Sequence, residues 1–405
     1  MTRVSTFSNG AAALLLSLSF AACDAGDADA PAAEGSAQSA EATSEAPAEA
    51  AASGFANVSF TEEELASMDT VMAGLSGNSF SSAVRTKENA WVFLNIANTS
   101  EEETTRVAAL RALTQVFTNS ERRLERSTMV DERYAPVVIA AMNDDSAVIT
   151  HAGINAIRPV IVGDEESVNG EATSTLAALA AAGQPATQRY EALGALSQAR
   201  TLRTDPALQA PIVAALEADE AFLISVGLFR LSNVTVAAAD TPAMRARLIA
   251  LLAHADFGVQ GRAAESLARM TSYSSDERDE VAMAIVPLLQ SSNGFVICKA
   301  ADALSRLRYT PAIPAIMAHI ESIESNTYDI RVEDGLDGNS IRVHHDGSAW
   351  SRIGESTQKS LSAYSRNLGE RVEVSYSAGS VDEDIARNAT AVRAWFATIE
   401  GQIGQ

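Results

Sequence analysis

Residues at spacings that could support chemistry are few in this sequence. Ser356-Thr357-Gln358-Lys359 has the S-x-x-K spacing, which on a helix sets a lysine one turn from a serine whose proton it could accept; the K-T-G segment that completes such a site is missing. The five histidines (151, 254, 319, 344 and 345) include no i,i+4 pair for one helix face. His344-His345-Asp346 falls where a strand is expected, so the adjacent rings diverge and a shared metal is not expected. Asp334-Gly335-Leu336-Asp337-Gly338-Asn339 is oxygen-rich, but without the spacing and closing Glu of a helix-flanked Ca²⁺ loop it reads as a turn. Cys298, within Val296-Ile297-Cys298-Lys299-Ala300-Ala301, reads as a small buried hydrophobe of a helix. G-x-x-x-x-G-K-[ST], G-x-S-x-G, H-E-x-x-H and C-x-x-C-H are all absent. The expectation is therefore a chain with no catalytic residue, no metal and no cofactor, and not an enzyme.

The remaining cysteine, Cys23, has a different context. Arg3 is followed by an apolar run from Ala11 to Phe20, then Ala21, Ala22 and Cys23. A basic start, a short apolar core and small residues before the cut read as a secretory signal peptide, too short to span a bilayer. Phe20-Ala21-Ala22-Cys23 resembles the bacterial lipobox, with Phe20 in place of the usual leucine. The resemblance implies cleavage before Cys23, acylation of its thiol, and a lipid-anchored protein in the bacterial envelope, facing the periplasm from either membrane. Several acyl chains bury enough methylenes for stable attachment, where one is marginal.

From Asp24 to Gly54 the chain holds mostly Ala, Glu, Ser, Pro, Asp and Gly, with seven acids and no base. Such a segment cannot bury enough surface to offset chain entropy, so a disordered tether is expected, reaching roughly 30 Å on average. The whole chain has a net charge of −22; with Arg3 and the seven tether acids set aside, −16 remains on residues 55–405. An acidic surface repels phosphate backbones and anionic headgroups, so nucleic acid is not an expected partner and the membrane is met only through the lipid anchor.

Past residue 60 one pattern recurs, a helix rich in small residues that ends on an aliphatic anchor. The anchors Leu113, Ile157, Leu196, Leu231, Leu267 and Leu304 are spaced by 44, 39, 35, 36 and 37 residues. A second apolar stretch lies between successive anchors, as in Leu248-Ile249-Ala250-Leu251-Leu252. Two helices per repeat of this length predict an array of helical pairs, whose small residues allow close approach. Asp205-Pro206, Thr241-Pro242 and Thr310-Pro311 read as helix starts; Thr61-x-x-Glu64, Ser100-x-x-Glu103 and Ser274-x-x-Glu277 read as capping boxes.

Arg262-Ala263-Ala264-Glu265-Ser266-Leu267 and Lys299-Ala300-Ala301-Asp302-Ala303-Leu304, followed by Pro311-Ala312-Ile313-Pro314, resemble HEAT repeats, in particular the short variety named after phycobilisome lyases. The resemblance spans roughly 80–325. It implies an all-α, right-handed α-solenoid and says little about function.

The next anchor, Leu361, lies 57 residues beyond Leu304. The excess contains Tyr328–Glu333 and Ser340–His344, each alternating polar and apolar, around a turn-rich centre; an antiparallel β-ribbon inserted between the helices of the last repeat is expected. An amphipathic helix through Ile385, Ala389, Val392, Trp395, Phe396 and Ile399 is expected to close the array. The organisation read from sequence is thus a signal peptide over 1–22 ending at the lipobox cysteine, a tether over 23–54, HEAT-like repeats over 55–325, a ribbon or loop over 326–348, and closing helices over 349–405.

The array leaves a surface. Two residues past the anchors lie Gln115, Pro159, Gln198, Asn233, Arg269 and Arg306; two before them lie Arg111, Asn155, Gly194, Phe229, Glu265 and Asp302. Arg269 and Arg306, basic on an acidic protein and near the ribbon, are the expected centre of a partner-contact patch that also takes in Asn233 and Gln198. The function expected is a membrane-tethered scaffold that binds an envelope protein through the solenoid surface. The alternative, by analogy with phycobilin lyases, is a protein that cradles a tetrapyrrole.

Overall fold

In the computed structural model, residues 56–403 are described apart from 57, 78, 119–132, 163–165, 204, 232–240, 271, 327, 333–340, 346–351 and 378–380. The signal peptide, Cys23, the tether, Asn233 and the centre of the ribbon lie outside the described residues.

The segment opens with two short helices, α1 (Glu62–Leu65) and α2 (Met68–Ala73), and a small hairpin of β1 (Leu75–Ser76) and β2 (Ser79–Phe80) that turns at Gly77, φ +59°. Helical pairs follow: α3 (Ala90–Thr99) with α4 (Glu103–Thr118), α5 (Tyr134–Met142) with α6 (Ala147–Ala156), and, after the short α7 (Arg158–Val162), α8 (Glu166–Leu179) with α9 (Ala186–Leu196). Next come α10 (Pro206–Ala215) with α11 (Ala221–Leu231), α12 (Pro242–Leu251) with α13 (Phe257–Arg269), and α14 (Ser275–Ile285) with α15 (Gly294–Leu307). The last pair is α16 (Ile313–Met317) with α17 (Ile353–Asn367), and α18 (Val381–Ile399) packs on α17. The second helices form a continuous stack: α4 on α6, α6 on α9, α9 on α11, α11 on α13, α13 on α15 and α15 on α17. This is the expected α-solenoid of helical pairs.

The repeat pattern has a direct physical reading. All seven anchors, from Leu113 to Leu361, are buried, and a Leu→Ala change at such a site costs about 2–5 kcal/mol. Four residues before each anchor stands a small buried residue: Ala109, Gly153, Ala192, Gly227, Ala263, Ala300 and Thr357. At Gly153 a Cβ would come within 2.9 Å of the backbone nitrogen of Met142, so α5 and α6 meet with backbone almost in contact. The small residues thus set the spacing within a pair, and the anchors fill the space beneath.

Most start signals are realised. The side chains of Asp205 and Thr241 accept from the backbone N–H groups of Ala207 and Met244, and Thr61–Glu64 and Ser274–Glu277 form reciprocal capping boxes. Two are not. Thr310 lies inside a 3₁₀ turn over Thr310–Ala312 and gives no side-chain cap. Ser100 accepts from the N–H of Glu102, one residue short of a capping box; the Glu102 carboxylate instead accepts from the hydroxyls of Thr104 and Thr105.

The insertion is an antiparallel ribbon of two strands, β3 (Asp329–Val332) and β4 (Ile341–His345), placed between α16 and α17 as its alternation implies. Ile330 pairs with His344 and Arg331 with Arg342, so Val343 is left over as a bulge. His344 and His345 take successive pairing positions, opposite Ile330 and Asp329. On α18, Ile385, Ala389, Val392, Trp395 and Ile399 are buried, the face expected to close the array.

Candidate functional site

The site lies on the second-helix stack, between α15 and α17. On α15 the spacing Phe295, Lys299, Asp302, Arg306 places four side chains along one face. On α17 Ser356, Lys359, Ser360, Ala363 and Arg366 do the same. The two faces enclose an open groove of about 720 Å³, completed by Cys298, Ser305, Arg308, Asn326 and Asn367. Only Phe295, Cys298 and Ala363 among its lining residues are apolar, and five of the others are cationic against one acid, Asp302. On a chain of net charge −22, this is a local reversal of sign.

Three of the five cations have carboxylate partners. Lys299 Nζ lies 3.0 Å from Glu265 Oε2 on α13, and Arg306 Nε lies 2.8 Å from Asp302 Oδ2. Lys359 pairs with Glu355 one turn earlier. Arg308 and Arg366 make no ion pair among the described residues. Burial works against the Glu265 carboxylate, yet Lys299 and then Arg269 hold its pKa below the ordinary range.

A row of aromatic rings interleaved with cations leads into the groove. Arg230 lies over the Phe229 ring at 4.8 Å from its centroid, and Arg262, on the next second helix, lies over the same ring at 4.8 Å. Arg262 also reaches the Phe295 ring at 5.9 Å, and Lys299 stands over that ring at 5.5 Å; Lys359 stands 5.1 Å from the centroid of Tyr376. Cations so placed are held by the ring quadrupoles. Burial brings the Arg230 guanidinium down to about 10; Tyr190 works in the opposite direction, and Arg158 and Arg262 add repulsion.

The ribbon is rooted beside the groove. Tyr328 stacks on Phe295 with centroids 5.1 Å apart, and its hydroxyl donates to Asp256 Oδ1 at 2.6 Å, the side chain that also caps α13. Burial, followed by that carboxylate, raises the Tyr328 pKa well above the phenol range.

The residues expected from spacing are distributed as follows. Arg306 lines the groove. Arg269 is on the adjacent helix and reaches it through Glu265, 2.9 Å away, which Lys299 shares. Gln198 is exposed in the turn just after α9, two helices farther along the stack. Asn233 is outside the described residues, as is Cys23. Pro159, on the same ladder, is buried. The groove adds Lys299, Arg308, Lys359 and Arg366, which ladder spacing does not single out. Their signal is present as a seven-residue spacing, Lys299–Arg306 on α15 and Lys359–Arg366 on α17, but pairing the two helices requires knowing that a ribbon separates them. Ser356 and Lys359 both line the groove, and the Lys359 ammonium is bonded to Glu355 on the turn before it.

No helix among the described residues is long and apolar enough to cross a membrane. The sequence matches no protein-family model and no curated protein. Among solved structures the chain is similar to Kap121p bound to Pho4p, at 13% identity and a TM-score of 0.50, over 85% of this chain and 40% of that one. Kap121p bound to Ste12p aligns at 14% identity and a TM-score of 0.49, over 82% and 37% of the two chains. A designed armadillo repeat protein aligns at 19% identity and a TM-score of 0.41, over 53% and 98%. The chain spans about two fifths of the length of Kap121p. At such identities the likeness establishes the fold alone, a helical-repeat solenoid.

Proposed function

We propose that this chain is a membrane-tethered, non-enzymatic scaffold of the bacterial envelope, anchored through Cys23, which holds another protein on the exposed face of its second helices. The observation that supports this best is the groove between α15 and α17, cationic on an acidic chain and open along its length. A solenoid stack offers extended contact area rather than an enclosed reaction chamber. Kap121p, the similar structure, is described in complex with Pho4p, a protein partner. The polar lining suits a peptide better than the broad apolar faces of a tetrapyrrole, so the lyase-like alternative is set aside.

The test is in-cell crosslinking followed by pull-down and mass spectrometry of the full chain and of a Cys23→Ser variant. One envelope protein captured by the native chain and lost from the variant supports the tethered scaffold. Equal capture by both removes the anchor from the account, and no specific capture by either removes the scaffold.

A further inference from the structure

We infer that the α15–α17 groove is a receptor for an acidic, extended peptide segment of the partner, with Arg308 and Arg366 as the carboxylate-binding side chains. The inference rests on the scaffold reading and specifies the chemistry of its ligand.

Two observations support it independently. The first is the charge pattern. Lys299, Arg306 and Lys359 are each offset by a carboxylate, whereas Arg308 and Arg366 are offset by none among the described residues, so the groove retains two cationic centres. Both are exposed, and both line the groove. Arg306 and Arg366 do stand in the last turns of α15 and α17, where a cation complements the helix dipole. That role does not require Lys299 and Lys359, about two turns earlier, to face the same groove.

The second is the backbone of Arg308. It has φ +58° and ψ +33° and is the only non-glycine residue with positive φ among the described residues. It ends α15, its N–H bonding back to Leu304 and Ser305, at a position where glycine or asparagine is the ordinary choice. An arginine kept in a conformation that disfavours it, with its side chain on a cationic groove, points to a use for the side chain.

The ligand class follows from the surroundings. A guanidinium takes a carboxylate by two parallel N–H bonds. The exposed Asn367 amide and the part-exposed Ser356 hydroxyl offer donors and acceptors along the groove, as a peptide backbone requires. The acidic remainder of the chain opposes a long polyanion, while a short acidic stretch meets only the reversed patch.

The test uses the full chain and fluorescence anisotropy with a labelled hexaglutamate peptide, against hexaglutamine and hexalysine, with inorganic tripolyphosphate and anionic phosphatidylglycerol vesicles as competitors. Hexaglutamate alone among the peptides is expected to bind, and Arg308→Glu with Arg366→Glu to weaken it at least about tenfold. Arg308→Gly, which fits the left-handed backbone and cannot fail for reasons of strain, is expected to weaken it a few-fold. Equal binding of hexaglutamine, unchanged binding by the double variant, or stronger binding of tripolyphosphate or vesicles than of hexaglutamate each overturns the inference. Failure of the scaffold reading is distinguishable: hexaglutamate then binds in vitro while no partner is captured in cells. The converse, cellular capture unaffected by the double variant, overturns the inference and leaves the scaffold intact.

Discussion

Lys299 joins two successive second helices: its ammonium lies 3.0 Å from the carboxylate of Glu265 on α13 while standing over the ring of Phe295 on its own helix. Lys299 is the basic residue that opens the repeat pattern, and Arg262 fills the same place one repeat earlier, reaching back to Phe229. The basic position of the pattern is therefore a bridge along the stack.

Removing the bridge leaves the largely buried Glu265 with Arg269 alone. Lys299→Met is expected to destabilise the fold by about 1–2 kcal/mol, read by urea unfolding, and to raise the Glu265 pKa. Glu265→Gln in the same background should recover part of that loss; full additivity of the two changes would show that the bridge does not stabilise the stack.

The ribbon root gives a second prediction. A Cβ on Gly258 would fall on the ring of Tyr328. Gly258→Ala should displace Tyr328 from Phe295 and release the ribbon, seen as faster amide exchange of Asp329–Val332. Tyr328→Phe, which loses the hydroxyl's bonds to Asp256 and to the Gly258 backbone, should cost about 1–2 kcal/mol and keep the stack. Similar exchange in native and Gly258→Ala protein would mean that the ribbon is held elsewhere.

The outset of the solenoid is expected to respond to pH. Glu64 caps α1 and pairs with both terminal nitrogens of Arg133, at 2.8 and 2.9 Å, while that guanidinium lies over Trp91. The Arg133 hydrogen bonds, then the Thr61 backbone, bring the Glu64 pKa from 4.5 to about 2. A carboxylate whose folded pKa is depressed stabilises fully above its unfolded value and loses that contribution as pH falls through its folded value. The stability gap between native chain and Glu64→Gln should be constant above about pH 5 and shrink towards pH 2. A gap independent of pH over that range would contradict the assignment.

Arg308 predicts a trade between stability and binding. Arg308→Gly should raise stability by about 1 kcal/mol by relieving the left-handed backbone while weakening the acidic peptide. A variant that is less stable, or as tight a binder, would remove the reason given for arginine there.

Much of the fold was legible in the sequence. Small residue and anchor, four apart, recur from Ala109–Leu113 to Ala300–Leu304 because each pair must approach closely and fill the same gap. The ribbon was legible from the long interval before Leu361 and from its alternation. Thr310 was misread because the chain tightens into a 3₁₀ turn there, a choice made by tertiary packing rather than by the Thr-Pro pair. Of the candidate site, Arg306 was legible and Arg269 stands one ion pair away. Lys359 was visible as half of a nucleophile motif, but its role depends on Glu355 beside it. The groove itself was not legible, since it exists only where α15 and α17 meet across the insertion.

The central claim, that a partner protein is held in this groove, is tested most directly by in-cell crosslinking of the full chain carrying Arg308→Glu and Arg366→Glu, with capture quantified against the native chain at equal membrane abundance and equal melting temperature. The account predicts that the captured envelope protein falls at least about tenfold. An unchanged yield of the same protein from the folded, membrane-associated variant would contradict it.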